Sequence, residues 1–541
     1  MGAATEKAGR ASGPSGGQRA AGLVGAGILL SRLAGLVRES VFAHYFGNSD
    51  AADAFKAAFR IPNLLQNLFG EGVLSASFIP VYASLLAQGD EEEARRTAGA
   101  VLALLALATA VLVLAGVVLA PYFIDAIAPG FHGAKRELTV RLVQILFPGA
   151  GLLVMSAWCL GILNSHRRFF ISYAAPLAWN GAMIVTLLGF GRHYGLYPLA
   201  EILAVGSVIG SGLQIAVQWP AVRKLVRGMR LSLDHRRHHV REALRNFVPV
   251  FFSRGVVQIS AYVDGLLASL LPTGAVAALA YAQMLYLLPI ALFGMSVSAA
   301  ELPAMSGEAA QPLAREAATE EVAAALRRRL NAGLRQITFF VLPSVVALLV
   351  LGDVIVAAIY QTGAFRHRDV LYVWGTLAGA TVGLLASALG RLYSSTYYAL
   401  RDTRNPLKYA SVRVALTTVL GIIAAFPLPR WLGLDPRWGV AGLTAAAGIA
   451  AWVEYTLLRR GLRTRVGITR VPAKFLLEVA VAALAAAAAA RGLMYVIGPH
   501  RPKIEAIPVI AVYGAVYFAL ATVMQLPELA ALRRLLGLTA R

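Results

Sequence analysis

The chain has 541 residues, 58% of them hydrophobic and 14% charged, with a formal net charge of +22 and a mean hydropathy of +0.65. Soluble globular chains carry about a quarter charged residues, so the composition excludes an ordinary water-soluble domain and points to an all-α integral membrane protein. In a soluble domain so basic a balance would suggest nucleic acid; here it reads as Lys and Arg gathered in cytoplasmic loops against anionic membrane lipids, and no nucleic-acid partner is expected.

Residues 1–20 are polar and rich in Gly, Ala and Ser and are expected to form a disordered cytoplasmic tail. The first apolar segment carries Arg32, Arg38 and Glu39 and cannot be the core of a signal peptide. Apolar segments then fall near 22–46, 54–86, 98–126, 138–163, 172–191, 198–221, 246–271, 276–305, 334–360, 370–399, 408–428, 438–458, 475–497 and 505–526. One span takes about 20 residues, so about fourteen transmembrane helices are expected. Alternate connections hold most of the charge: Arg95-Arg96, Arg167-Arg168, Arg223 to Arg245, Arg327 to Arg329, Arg401 to Lys408, and Arg459 to Lys474. The opposite connections, such as Asn48 to Ala52 and Leu271 to Ala275, are short and nearly free of Lys and Arg. This asymmetry places both termini in the cytoplasm.

The organisation expected is a six-helix lobe over 21–222, a basic cytoplasmic loop over 223–245, a second six-helix lobe over 246–460, and two extra helices over 461–541. A faint repeat supports two related lobes. Ser31-Arg32 opens the first segment and Ser253-Arg254 the seventh, and the next segment in each case has a similar pattern, AADAFKAAFRIP against AALAYAQMLYLLP, at an interval of about 220 residues. Chance similarity between Ala-rich helices is the competing explanation. The single cysteine, Cys159, excludes an internal disulfide.

Ionisable groups inside spans are costly and mark functional sites by default. At 100° per residue Glu39 lies about 20° from Arg32, and Ser31, Gly35 and Arg38 share that side of the helix within about 120°. In the second segment Asp53, Lys56, Arg60 and Asn63 fall within about 80°. Pairing of Glu39 with Arg32 and of Asp53 with Lys56 would leave cations over, and spare guanidinium groups attract a phosphorylated ligand. The plainer reading puts Asp53 and Lys56 in the interfacial zone, meeting water. Pro62 and Gly70-Glu71-Gly72 interrupt the second segment, and Pro249, Pro289, Pro303 and Pro343 interrupt later ones; such breaks are tolerated where backbone lines a cavity and can serve as flexing points, or they kink a helix for packing. Asp264 is a candidate for a coupling cation or proton, or for pairing with Arg254. The HRRHH run at 235–239 sits in a basic loop without carboxylate or cysteine support, and no metal is expected there.

The chain resembles the MurJ/MviN lipid II flippase family of the multidrug/oligosaccharidyl-lipid/polysaccharide exporter superfamily. The residues that carry the resemblance are SRLAGLVRES at 31–40, FGNSDAADAFKAAFRIPNLLQNLFGEGVLSASFIPV at 46–81, APGF at 128–131, GILNSHRRF at 161–169, LFGMSVSAAELPAMS at 292–306, IYQTGAF at 359–365 and YALRDTRNPLK at 398–408. The resemblance implies fourteen helices, two six-helix lobes around a cationic central cavity, and a lipid-tail groove made by the last two helices. It implies a cargo of undecaprenyl-diphosphate-linked disaccharide pentapeptide, moved from the inner to the outer leaflet of the bacterial cytoplasmic membrane for peptidoglycan synthesis. The family's segment-one arginines match Arg32 and Arg38, its adjacent acid matches Glu39, and its segment-two acids match Asp53 and Glu71. Two family arginines are missing, with Gln66 and Met284 in their places, and Gly421 stands where Asn is frequent, which weakens the implied sodium site. The expected substrate-binding set is Arg32, Arg38, Arg60, Arg254, Ser31 and Asn63, with Arg60 and Arg254 supplying the missing charge; Glu39, Asp53, Lys56 and Glu71 are expected to pair or gate. No cofactor is expected beyond the membrane potential and Na+ or H+ coupling, and a monomer is expected. The alternatives are an exporter of another lipid-linked oligosaccharide or of a small molecule, and a non-transporting regulator. An enzyme acting on polyprenyl phosphate is disfavoured because the aspartates at 53, 125, 264 and 353 are scattered singly.

Overall fold

A computed structural model of the protein describes residues 14–309, 316–497 and 502–529, with side chains at 27, 29–70, 73–247, 262–308, 320–497 and 502–529. Among the described residues every regular element is helical, as a lipid environment demands when backbone groups must be satisfied within each segment. Eleven helices are long and apolar enough to cross a membrane, or twelve if His367–Thr381 and Leu384–Ala399, bent by 41°, form one span. Pro14–Phe46 and His238–Ser269, of 33 and 32 residues, stand outside that count, and the expected fourteen requires both. The chain is a multi-pass helical membrane protein.

Two units divide the chain, Met1–Tyr262 and Val263–Arg541. The first contains α1 (Pro14–Phe46), α2 (Asp50–Phe69), α3 (Glu71–Gln88), α4 (Glu91–Val118), α5 (Ala120–Ile127), α6 (Gly133–Ser165), α7 (Phe169–Ala174), α8 (Pro176–Phe190), α9 (Leu196–Leu225) and most of α10 (His238–Ser269). Residues 14–20, expected in the unstructured tail, are helical as the first turns of α1, where Gln18, Arg19 and Ala20 are good helix formers. Residues 1–13 lie outside the described residues. α6 is the central strut, packing on α2, α3, α4 and α9. Its Trp158 is fully buried in a cluster with Phe78, Tyr82, Leu105 and Val154. A polar link also runs through this apolar interior, with Gln214 Nε2 donating to Ser156 Oγ at 2.8 Å and Ser156 Oγ donating to Gln218 Oε1 at 2.9 Å. Such bonds tie α6 to α9 where lipid offers no hydrophobic drive for helix association.

The second unit holds α11 (Ala275–Pro289), α12 (Ser296–Ala309), α13 (Glu316–Val350), α14 (Gly352–Tyr360), α15 (His367–Thr381), α16 (Leu384–Ala399), α17 (Arg404–Ala425), α18 (Pro427–Trp431), α19 (Gly439–Val466), α20 (Ala473–Ile497) and α21 (Pro502–Val523). Small residues set the α17–α19 approach. A Cβ on Gly439 or Gly442 would lie 2.3 Å from the carbonyl oxygen of Ala425 or Ala424, and one on Gly421 would lie 2.8 Å from Leu443 Cδ1. Gly439 and Gly442 thus let the two helices approach backbone to backbone, in the small-residue manner of membrane helices, whereas at 421, where the resemblance led us to expect Asn, an added Cβ would meet only the end of the Leu443 side chain.

α20 and α21 pack on α13 through Phe339, Val346, Phe475, Val479, Val509 and Tyr517. Pro343 has no N–H to give the carbonyl four residues back, that of Phe339. The Tyr517 hydroxyl donates to that carbonyl at 2.6 Å, and Tyr513 donates to the Pro343 carbonyl at 2.7 Å. Arg491 of α20 reaches the break between α13 and α14, bonding the Val350 carbonyl at 2.9 Å through Nε and Asp353 at 2.7 Å. The prolines at 62, 289, 303 and 343 all lie inside described helices, and a π-helical turn, Ile290–Met295, follows Pro289.

Candidate functional site

Five charged groups of α1 and α2, namely Arg38, Glu39, Asp50, Asp53 and Lys56, take part in a charge network of two neighbouring ion-pair clusters inside the first unit. α2 starts sharply because Ser49 caps it, its Oγ accepting from the Ala52 N–H at 3.2 Å, and Asp50 and Asp53 occupy the first turn, where the helix dipole favours negative charge. Lys135, near the start of α6, bridges both acids, at 2.8 Å from Asp50 Oδ1 and 2.7 Å from Asp53 Oδ2. Asp53 is 1% exposed, so it meets a lysine rather than water.

One turn further along α2, Lys56 donates to Glu39 Oε2, while Arg38 donates to Glu39 Oε1 at 2.7 Å. These three side chains are only 11–15% exposed. Each cation of the network also lies over an aromatic face: Arg38 4.7 Å from the Trp179 centroid, Lys56 4.2 Å from Phe42 and Lys135 4.3 Å from Phe131. Trp179 is itself oriented by its Nε1–H, which donates to Ser207 Oγ at 3.2 Å. The electron-rich ring face attracts each cation and adds to the attraction of its carboxylate.

The structure therefore changes the pairing expected from spacing. Glu39 pairs with Arg38 and Lys56 rather than Arg32, because the partner comes from the neighbouring helix and from the adjacent residue. Asp53 pairs with Lys135 rather than Lys56, and neither Asp53 nor Lys56 is left in water. Three cations, Arg38, Lys56 and Lys135, balance three acids, Glu39, Asp50 and Asp53, so this network carries no surplus charge. Arg32 differs: it is exposed and has no ion pair or hydrogen bond among the described residues. Ser31, Arg60 and Asn63 are half-buried, and the Arg60 carbonyl accepts from the Tyr262 hydroxyl at 2.7 Å. The side chains of Arg254 and Glu71 lie outside the described residues, and Gly70 separates α2 from α3 where the break was expected. Asp264 is half-buried in the second unit. Among the described residues the one group of three potential metal ligands is elsewhere, at His238, His239 and Glu242, within 4.8 Å of one another. Glu242 supplies the carboxylate that the sequence reading found lacking, because α10 begins at His238 and places it one turn on. The group stands among Arg236, Arg237 and Arg241, whose field opposes a cation.

Lys135 and Asp50 were missed from the sequence, although a signal was present. Lys135 stands with Arg136 in the connection just ahead of an apolar segment, and a lysine at the edge of a span asks for a partner.

The family model described as "Lipid II flippase MurJ" matches residues 42–500. A probable lipid II flippase MurJ of Rhizobium tropici is 32% identical over 451 residues, covering 81% of this chain and 80% of that protein. The lipid II flippase MurJ of Burkholderia cenocepacia is 32% identical over 473 residues, covering 86% and 87%. Among solved structures, a lipid II flippase MurJ in an inward closed conformation superimposes with a TM-score of 0.74 at 25% identity, covering 93% of this chain and 98% of that one. An inward-facing multidrug resistance MATE transporter of the MOP superfamily shares the fold, with a TM-score of 0.62 at 18% identity. With a family model spanning most of its length and relatives matched over 80% or more of both chains, the chain belongs to the lipid II flippase MurJ family, a family of transporters and not of enzymes.

Proposed function

We propose that this protein flips lipid II, the undecaprenyl-diphosphate-linked peptidoglycan precursor, from the inner to the outer leaflet of the bacterial cytoplasmic membrane by alternating access, as a monomer with both termini in the cytoplasm. The observation that carries the reading is the family match over residues 42–500. Within the site, Arg32 is the group to meet the diphosphate first, because it is exposed and uncommitted while Arg38 is held by Glu39. Guanidinium groups match phosphate oxygens bidentately. Arg38, Arg60 and Arg254 then complete the clamp as Glu39 exchanges partners between states.

An inside-negative potential favours outward movement of an anionic cargo by about 2.3 kcal/mol per charge per 100 mV. Potential-driven flipping is therefore energetically sufficient, and Asp264 is the candidate for any additional Na+ or H+ coupling.

The test is complementation of a bacterial host depleted of its resident lipid II flippase, scoring growth and outer-leaflet lipid II. The parent chain rescues, Arg32→Ala does not, and Arg32→Lys rescues in part. Failure of a well-expressed, correctly inserted parent would transfer the proposal to another lipid-linked glycan or to a regulator.

A further inference from the structure

α19 is built in two zones along one face. At 100° per residue, Ile449, Trp452, Thr456, Arg459, Arg460 and Arg463 lie within an arc of about 100°. The stripe begins apolar, with Ile449 50% and Trp452 38% exposed, and ends in three arginines. At the arginine end lies a cavity of about 310 Å³ lined by Thr456, Arg459, Arg460, Arg463, Ile468 and Thr469.

The walls of this cavity are fixed. Thr469 is 2% exposed, and its hydroxyl shares a 2.8 Å hydrogen bond with the buried Tyr393 hydroxyl. Its carbonyl accepts from Arg459 Nε at 3.0 Å, which sets the plane of that guanidinium. The loop after α19 is pinned in turn, the Arg470 N–H donating to Asn331 Oδ1 at 3.2 Å.

No carboxylate among the described residues lies within ion-pair distance of Arg459, Arg460 or Arg463. The neighbouring acids are already taken, Glu454 by Arg413 at 2.9 Å and Asp402 by Arg465 at 2.9 Å. Like charges three and four residues apart on a helix repel. A helix C-terminus favours basic residues, but the dipole does not require three of them to converge on a walled cavity with two threonines. That convergence calls for an anion with several oxygens.

We propose that this cavity binds the phosphate headgroup of an anionic membrane lipid, with its acyl chain lying along Trp452 and Ile449. The apolar stripe running into the cavity favours a lipid over a free ion. The site lies wholly in the second unit and uses none of the residues assigned to the cargo. The charge asymmetry of the loops puts it in the cytoplasmic leaflet, and only that leaflet assignment rests on the proposed orientation.

To test this, the purified full chain is titrated in detergent with phosphatidylglycerol, with phosphatidylcholine and with inorganic phosphate. Bound lipid is counted by native mass spectrometry, and thermal unfolding is followed in parallel. The variant is Arg460→Gln/Arg463→Gln, which leaves the Arg459–Thr469 bond in place. A matched control, Arg430→Gln/Arg437→Gln, alters two exposed arginines near the other end of α19. Each basic group near an anionic surface multiplies affinity by roughly fivefold, so the variant loses about 25-fold in phosphatidylglycerol affinity while the control keeps it. Phosphatidylcholine binding stays unchanged in all three proteins, and inorganic phosphate neither stabilises the chain nor displaces the lipid. The proposal is overturned by equal phosphatidylglycerol binding in variant and parent, by equal binding of the two lipids to the parent, or by inorganic phosphate matching phosphatidylglycerol. The readout is lipid binding rather than flipping, so its failure leaves the transport proposal standing and the reverse also holds.

Discussion

Glu39 is the acid on which α1 and α2 are joined, and Glu39→Gln isolates its charge at nearly constant shape. The carboxylate serves two cations at once, Arg38 at 2.7 Å and Lys56, all three side chains 11–15% exposed. At an effective dielectric near 20, a unit pair about 4 Å apart is worth about 4 kcal/mol before desolvation. Desolvation offsets much of that when a pair forms, but not when one partner is removed, so breaking a buried pair costs about 3–5 kcal/mol. Here the variant leaves two buried cations facing each other. Their aromatic contacts with Trp179 and Phe42 persist, each worth about 0.5–2 kcal/mol, and hold the loss near that range rather than above it. For a unit of this size 1 kcal/mol moves a melting temperature by about 2–4 °C, so a drop on the order of 10 °C is expected. Differential scanning fluorimetry of the detergent-solubilised protein reads it. Glu39→Gln/Lys56→Met, with one buried cation removed, should recover at least half of the loss. A Glu39→Gln melting temperature within about 1 °C of the parent would refute the argument, because the triad would then be decoration on a junction held by the aromatic residues alone.

Three further outcomes are expected. Tyr517→Phe removes the donor to the carbonyl that Pro343 orphans and should cost about 0.6 kcal/mol, the average for hydrogen bonds between membrane helices, and no more than about 1.7 kcal/mol, their maximum; hydrogen exchange around residues 339–347 should rise, and unchanged exchange would mean that the carbonyl finds another donor. Gly421→Asn installs the family's frequent residue where a Cβ would lie 2.8 Å from Leu443 Cδ1; the leucine end can turn aside, so the loss of thermal stability should sit at the low end of the about 1–3 kcal/mol typical of overpacking, and a loss above that range would show that Leu443 is locked in place. His166 sits in the turn after α6, 3.1 Å from the Tyr82 hydroxyl, and partial burial, helped by nearby Arg168, holds its pKa below the ordinary 6.5. Its neutral form is favoured by folding, so that stability is present above pH 6.5 and is lost as pH falls through the lower folded value. Limited proteolysis of the 164–169 turn should quicken between pH 7 and pH 5 in the parent and stay flat in His166→Asn; equal pH dependence in both would exclude the imidazole as the cause.

Several motifs that carried the family resemblance have a structural role of their own. In IYQTGAF, Tyr360 and Phe365 close on Tyr281 at 5.0 and 5.5 Å between ring centroids, around Gly363 in the left-handed region. In YALRDTRNPLK, Asp402 accepts from the N–H groups of Arg404 and Asn405 and binds Arg465, which starts α17. Arg167 and Arg401, both left-handed at φ 58°, turn the chain after α6 and α16.

What the sequence determined by itself was everything that depends on local composition and period. Each expected apolar segment falls on a helix or a broken helix pair, because a lipid solvent leaves the backbone no alternative. The break at Gly70 was legible in its glycines, and the α1 and α2 charges were legible as anomalies in apolar helices. Partner choice was not legible. Which cation meets Glu39 or Asp53 depends on how α1, α2, α6 and α8 pack, and helical spacing ranks only neighbours on the same helix. Lys135 lies 82 residues from Asp53, Tyr517 lies 178 from Phe339, and the cavity at Arg459 needs a loop folded back on its own helix. Tertiary structure decided those, because pairing energies fall off within a few ångströms while nothing in the chain's local pattern records which distant atoms will arrive at that distance.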